Sequence, residues 1–202
     1  MNNIQVTTLD DQNNGPTDGT SLREAIATAT PGDTITFANS GTINLTLGQL
    51  NIATALTIDG DVDGDGTADI TISGNNTSRI FNINDETANE ISVNLSGLTI
   101  TGGVVTGFTD GGGIFNSENL TLTNSTLSGN SAGDFGGGIY NNGGTVTLSS
   151  STLSGNSAFQ AGGIYNNGGT VSVTNSTSER QLQQASAVVA FITTVATVSV
   201  SN

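Results

Sequence analysis

From Asp33 onward, apolar residues fall at every second position of short runs: Thr34-Ile-Thr-Phe37, Thr42-Ile-Asn-Leu-Thr-Leu47, Leu56-Thr-Ile58, Ile70-Thr-Ile72, Leu98-Thr-Ile100, Leu120-Thr-Leu122, Val146-Thr-Leu148 and Val171-Ser-Val173. A two-residue period puts one face of a strand in an apolar interior and the other toward water. A helical period occurs near the N-terminus, where Leu22, Ala25, Ile26 and Ala29 stand at i, i+3, i+4 and i+7. They follow Ser21-Leu-Arg-Glu24, which has capping-box spacing, and Pro31-Gly32 stops the run. The pattern predicts a short helix at about 21–29 inside an N-terminal cap of residues 1–33, followed by strands over 34–177.

The strands recur. Gly111-Gly-Gly-Ile-Phe-Asn116 returns as Gly136-Gly-Gly-Ile-Tyr-Asn141 and as Gly162-Gly-Ile-Tyr-Asn166, so Ile114, Ile139 and Ile164 are 25 residues apart. Asn119-Leu-Thr-Leu-Thr-Asn-Ser-Thr-Leu-Ser-Gly-Asn-Ser-Ala132 reappears with few changes from Thr145 to Ala158, and a third copy begins at Thr170. A fixed period of 25 or 26 residues, built of short β segments and Gly or Asn-Gly corners, predicts an all-β parallel β-helix, a solenoid in which each strand pairs with its equivalent one turn later. At this period the chain beyond Thr34 has room for about seven coils, with the short helix lying across the mouth of the first.

Stacking accounts for a composition unlike that of ordinary globules. Gly, Asn, Ser and Thr supply 105 of the 202 residues. With equivalent residues roughly 4.8 Å apart, Asn, Ser and Thr form hydrogen-bonded ladders while Leu, Ile and Val fill a narrow interior. The absence of Cys excludes disulfides, Cys-ligated zinc and thiol nucleophiles, and the absence of His excludes an imidazole base. Seventeen acidic residues against three arginines give a net charge of −14, which repels phosphate backbones and anionic lipid heads. Nucleic acid is therefore not an expected partner, and no apolar run is long enough to insert in a membrane.

Val6-Thr-Thr-Leu-Asp-Asp11, Asp18-Gly-Thr-Ser-Leu-Arg-Glu-Ala25 and Pro31-Gly-Asp-Thr-Ile-Thr-Phe37 resemble the CSLREA domain, which opens many bacterial surface-associated β-helix proteins; Thr20 stands where that family places Cys. The later coils are similar to repeats of polymorphic outer-membrane proteins and related adhesins. Gly111-Gly-Gly-Ile114 and Gly136-Gly-Gly-Ile139 correspond to their Gly-Gly-Ala-Ile motif with Gly for Ala, and Leu127-Ser-Gly-Asn130 and Leu153-Ser-Gly-Asn156 to their Phe-x-x-Asn motif with Leu for Phe. The resemblance implies a right-handed parallel β-helix, an extracellular or cell-surface location, and a structural or adhesive role. The implied partners are a host or neighbouring-cell surface protein or glycan.

Five of the seventeen acids lie in Asp59-Gly-Asp-Val-Asp-Gly-Asp-Gly-Thr-Ala-Asp69. Asp61, Asp63, Asp65, Gly66 and Asp69 reproduce positions 1, 3, 5, 6 and 9 of an EF-hand-type loop, with the Thr67 carbonyl at position 7. Ile72 occupies position 12, where a bidentate Glu belongs, so the set Asp61, Asp63, Asp65, Thr67 and Asp69 is an incomplete shell. It predicts weak Ca²⁺ binding, about 10⁻⁴ to 10⁻³ M; the competing reading is a solvated acidic turn. Arg23 with Glu24 reads as cap architecture. Phe115, Tyr140 and Tyr165 hold equivalent positions and predict an aromatic ladder, with a sugar-binding platform as the alternative. Asp110 and Asp134 precede glycine motifs and read as corner residues, with a carboxylate pair as the alternative. Polysaccharide lyases and glycoside hydrolases also use β-helices, and for a lyase the available constellation is Asp61, Asp63, Asp65 and Arg79; that reading rests on fold analogy.

After Thr177 the repeat breaks into Ser178-Glu-Arg-Gln-Leu-Gln-Gln-Ala185, and Val189-Ala-Phe-Ile-Thr-Thr-Val-Ala196 replaces the next glycine motif. These last eight residues can be encoded as GTG GCA TTT ATA ACA ACG GTG GCA. Read one base earlier, after the final G of a GTG codon for Val188, the string gives Gly-Gly-Ile-Tyr-Asn-Asn-Gly-Gly, identical to residues 162–169. Thr197-Val-Ser-Val-Ser-Asn202 then matches Thr170-Val-Ser-Val-Thr-Asn175 closely. Residues 178–196 of this irregular end (178–202) are therefore read as a frame-shifted coil. The stop at Asn202, midway through a coil, reads as a fragment of a longer chain. Sequencing the gene tests the frame shift: codons over 188–196 that spell the repeat in the shifted frame are expected, and codons incompatible with it overturn the reading.

Overall fold

The computed structural model describes residues 1–15 and 17–178, with the backbone of three further strands over 182–184, 187–189 and 198–201. Strand β1 (Asn3–Val6) and helix α1 (Leu22–Thr28) come first. The chain then repeats one three-strand cycle. The first two coils are β2 (Asp33–Phe37), β3 (Gly41–Asn44) and β4 (Leu50–Ile52), then β5 (Leu56–Asp59), β6 (Ile70–Ser73) and β7 (Phe81–Ile83). The third and fourth are β8 (Ser92–Ser96), β9 (Leu98–Thr101) and β10 (Ile114–Asn116), then β11 (Asn119–Thr123), β12 (Thr126–Ser128) and β13 (Ile139–Asn142). The last two are β14 (Thr145–Ser149), β15 (Thr152–Ser154) and β16 (Ile164–Asn167), then β17 (Thr170–Thr174), β18 (Thr177–Ser178) and β19 (Leu182–Gln184). Within these six coils each strand pairs in parallel with its equivalents above and below, which makes the fold a parallel β-solenoid of three sheets.

Six coils form where a uniform period predicts about seven, because the coils differ in length. The register step is 23 residues from Asp33 to Leu56, 37 from Leu56 to Val93, then 27, 26 and 25. The second coil holds the excess in its acidic loop and in the connections on either side of β7. Past β19 the winding direction is lost: β20 (Ala187–Val189) runs antiparallel to β19. Strand β21 (Val198–Ser201) lies on β17, whose sequence it repeats, but also antiparallel, with Val198 opposite Val173 and Val200 opposite Val171. The rest of the frame-shifted segment lies outside the described residues.

Inward-facing side chains form columns. Ile35, Ile58, Leu95, Leu122, Leu148 and Val173 stand in one register file. Ile43, Ile72, Ile100, Leu127 and Leu153 make a second. Leu50, Phe81, Ile114, Ile139 and Ile164 make the third, the single file that the 25-residue spacing predicts. These residues, Val173 excepted, are buried, and each such Leu, Ile or Val contributes about 1.5–3 kcal/mol.

Polar columns stand beside the apolar ones. The Asn116 Nδ2 donates to Asn141 Oδ1 at 2.8 Å, and the Asn141 Nδ2 to Asn166 Oδ1 at 2.7 Å; all three side chains are buried. Each amide also holds a corner, Asn116 donating to the Glu118 carbonyl and Asn141 to that of Gly144. Asn130 repeats the device with Asn156 at 3.0 Å, and the Ser125, Ser151 and Ser176 hydroxyls accept backbone N–H groups in a third ladder. The glycine motif has two separate causes. Gly136 has φ +64°, whereas a Cβ on Gly137 would lie 2.2 Å from the Ser157 carbonyl oxygen, so one needs conformational freedom and the other backbone contact. In the third copy Ala161 takes the left-handed position at φ +57°, its methyl group packed with Tyr140 and Tyr165.

The first coil is closed by α1. Ser21 caps the helix and Glu24 returns the bond, completing the capping box. Leu22, Ala25 and Ile26 join the core of the strands, and α1 packs on β1, β2 and β4. Arg23 ties this cap down through Asp11 at 2.8 Å and the carbonyls of Gly48 and Gln49. Buried Asp33 accepts from the Thr30 hydroxyl and from the backbone N–H groups of Asn2 and Thr30, and these bonds hold its carboxyl well below the usual carboxylate range.

Asn141→Ala removes both bonds of the central rung and leaves buried groups on two neighbouring coils unpaired. A loss of about 2–4 kcal/mol in unfolding free energy is expected by denaturant titration. A loss under about 0.5 kcal/mol would remove the amide ladder from the account of stability.

Candidate functional site

The acidic loop leaves the stack between β5 and β6, at the corner joining the first sheet to the second. Register fixes both strands, so the intervening residues are extruded into water. Of the four carboxylates that the spacing assigns to a metal, the structure gathers three: ligand oxygens of Asp61, Asp63 and Asp65 lie within 4.8 Å of one another. The loop is shaped by its own carboxylates. Asp61 accepts the amides of Gly64, Asp65 and Gly66, and Asp65 accepts the amide and hydroxyl of Thr67. The Thr67 hydroxyl, followed by its backbone N–H, lowers the Asp65 pKa.

Asp69 is not one of these three; its Oδ2 accepts the amides of Val62 and Asp63, stapling the base of the loop. Asp59 serves the stack, accepting the Ser96 hydroxyl at 2.9 Å. Three hard carboxylate oxygens suit Ca²⁺ or Mg²⁺, with the remaining ligands left to carbonyls or water.

Arg79 lies on a different corner, between β6 and β7. Its guanidinium donates to the carbonyls of Gly111 at 2.9 Å and Asp110 at 2.7 Å and to Gln49 Oε1 at 2.8 Å, and its charge sits 5.4 Å from the Phe115 ring centroid. The fold thus separates Arg79 from Asp61, Asp63 and Asp65, and does not assemble the lyase constellation suggested by proximity in sequence.

Beside Arg79, Phe115 and Tyr140 stack at 5.4 Å between centroids, and Tyr140 and Tyr165 at 5.7 Å with planes 3° apart. Phe135, which the repeat does not single out, lies 4.4 Å from Tyr165. Asp110 accepts the Phe135 amide, and its pKa is raised, chiefly by burial and further by the charge of Asp134. Burial and the Asp110 charge also raise the Tyr140 pKa.

Sequence alone marks Arg79 as a base near mid-stack, but gives no sign of Gln49 or the Asp110 carbonyl as its partners, since both come from other coils. Comparison with protein-family models, curated proteins and solved structures found no match for this chain.

Proposed function

We propose that this chain is a non-catalytic structural and adhesive module of a bacterial surface or secreted protein, a stiff spacer whose lateral faces contact a host or neighbouring-cell protein or glycan. The observation that carries the reading is the continuous parallel register of the six coils, in which an amide ladder reinforces backbone pairing across the third, fourth and fifth. Such a rod holds its outer faces at fixed spacing, which suits repeated contacts with an extended partner. Carboxylates outside the acidic loop support it by their employment: Asp11, Glu24, Asp33, Asp110 and Glu118 accept backbone N–H groups that shape corners and cap. None of the described helices is long and apolar enough to cross a membrane. The module keeps its resemblance to CSLREA-type and polymorphic outer-membrane repeats as a basis for placing it outside the cell.

Purified protein on beads is expected to bind host or bacterial cells saturably and to produce no unsaturated product from polygalacturonate with calcium. Ultraviolet absorbance that grows with time in that mixture would replace the adhesive reading by the lyase reading, and beads that bind no cell type would remove the adhesive role.

In the same module the acidic loop is a weak Ca²⁺ site, held by Asp61, Asp63 and Asp65 with the Thr67 carbonyl and Asp69 as remaining candidates. Calorimetric titration is expected to give a dissociation constant of about 10⁻⁴ to 10⁻³ M, weakened in Asp63→Ala. Identical titrations for the two proteins exclude the site.

A further inference from the structure

We propose that the pocket beside Arg79 binds the carboxylate of an acidic sugar. The pocket has a volume of about 450 Å³ and is lined by Arg79 with Gln49, Asn76, Thr77, Ser78 and Thr106 among others. A guanidinium carries five N–H donors, and three of those on Arg79 are used, one each from Nε, Nη1 and Nη2. One donor on each terminal nitrogen is left without a partner among the described residues, so each has a proton to offer an incoming carboxylate. No carboxylate of a described residue forms an ion pair with Arg79. Asp110 supplies its backbone carbonyl to the guanidinium, while its carboxylate accepts the Phe135 amide. The cation is therefore fixed in place by neutral acceptors and an aromatic face, with no carboxylate of a described residue at ion-pair distance and the Asp110 charge reaching it from farther off.

The rest of the pocket selects the body of the ligand. Its wall is rich in hydroxyl and amide groups, which match sugar hydroxyls better than an apolar acid. Phe108 does not line the pocket, but it lies in sequence between the lining residues Thr106 and Thr109 and is 99% exposed, so its ring is free to stack on a bound sugar. The net charge of −14 penalises each further negative charge on a ligand, so a singly charged sugar acid is favoured over phosphate chains or nucleic acid. The inference deepens the adhesive reading by naming the glycan class, and the pocket can be tested without any cell.

Binding of sodium glucuronate is followed by calorimetry at pH 7 and physiological salt, with glucose as the matched neutral ring and sodium sulfate as the anion without a sugar. Saturable binding of glucuronate is expected, with glucose and sulfate each much weaker. Thr106→Glu places a negative charge at the exposed rim while leaving the Arg79 hydrogen bonds intact. It is expected to weaken glucuronate roughly tenfold or more with an unchanged melting temperature, and Phe108→Ala is expected to weaken it less. Glucuronate binding that glucose equals, that sulfate equals, that Thr106→Glu leaves unchanged, or that is absent overturns the proposal. Absent glucuronate binding beside intact cell adhesion removes the pocket alone; glucuronate binding without cell adhesion removes the adhesive role and keeps the pocket.

Discussion

Parallel in-register pairing sets every residue of a coil against the same position of the next, at the roughly 4.8 Å spacing of paired strands. A side chain in this fold must therefore be compatible with copies of itself or its near equivalents. Apolar groups meet that condition by burying one another. Asn meets it because its amide carries a donor and an acceptor, so Asn116, Asn141 and Asn166 bond in series. Carboxylates fail it, and among the described strand pairs none sets two acids opposite each other: Asp33 faces Leu56 and Asp59 faces Ser96. The same condition explains how a chain with so few large side chains holds a core.

Charge is consequently pushed to places where the repeat is interrupted. Glu118 is buried at 2% exposure, yet it accepts the amides of Asp85 and Ile91 from the longer second coil and so pays for its own desolvation. The acidic loop and the Arg79 connection both belong to that same coil, the one with a 37-residue step. Strand register cannot absorb extra residues, so an insertion must leave the stack at a corner. It there escapes the self-matching rule and is free to hold like charges or an unpaired cation. Both proposed sites lie where the period fails.

That division also decides what the sequence reveals. The Ile114, Ile139 and Ile164 file, the capped helix at Leu22–Thr28 and the aromatic stack follow from spacing alone, because stacking converts sequence period directly into contact. Irregular coils break this conversion. Spacing marks Asp69 for the metal set but gives no sign that its Oδ2 accepts the Val62 and Asp63 amides, a bond made because a tight loop must satisfy its own backbone donors. Arg79 meets Gln49 across 30 residues and Gly111 across 32, steps that match none of the regular periods. Pairing direction is equally hidden: β21 repeats the sequence of β17 and lies against it, but alternation along a strand is the same read forward or backward, so antiparallel pairing still sets Val opposite Val.

The position of Arg79 is best understood by contrast with Arg23. Both guanidiniums bond to backbone carbonyls and tie segments of different coils together. Arg23 adds a carboxylate, Asp11, which neutralises it. In a chain with seventeen acids a second such pairing would be easy to supply, and Asp110 is close enough that its charge opposes the burial that lowers the Arg79 pKa. Yet Asp110 offers Arg79 its carbonyl and gives its carboxylate to Phe135. Gluing two coils together requires only the hydrogen bonds, which neutral acceptors supply. Leaving the positive charge without an ion-pair partner, balanced only at longer range by Asp110, with Phe115 against it and a polar pocket beside it, adds nothing to that mechanical task and costs solvation. An anion from outside the chain would recover that cost, and this is the ground on which the proposed ligand rests.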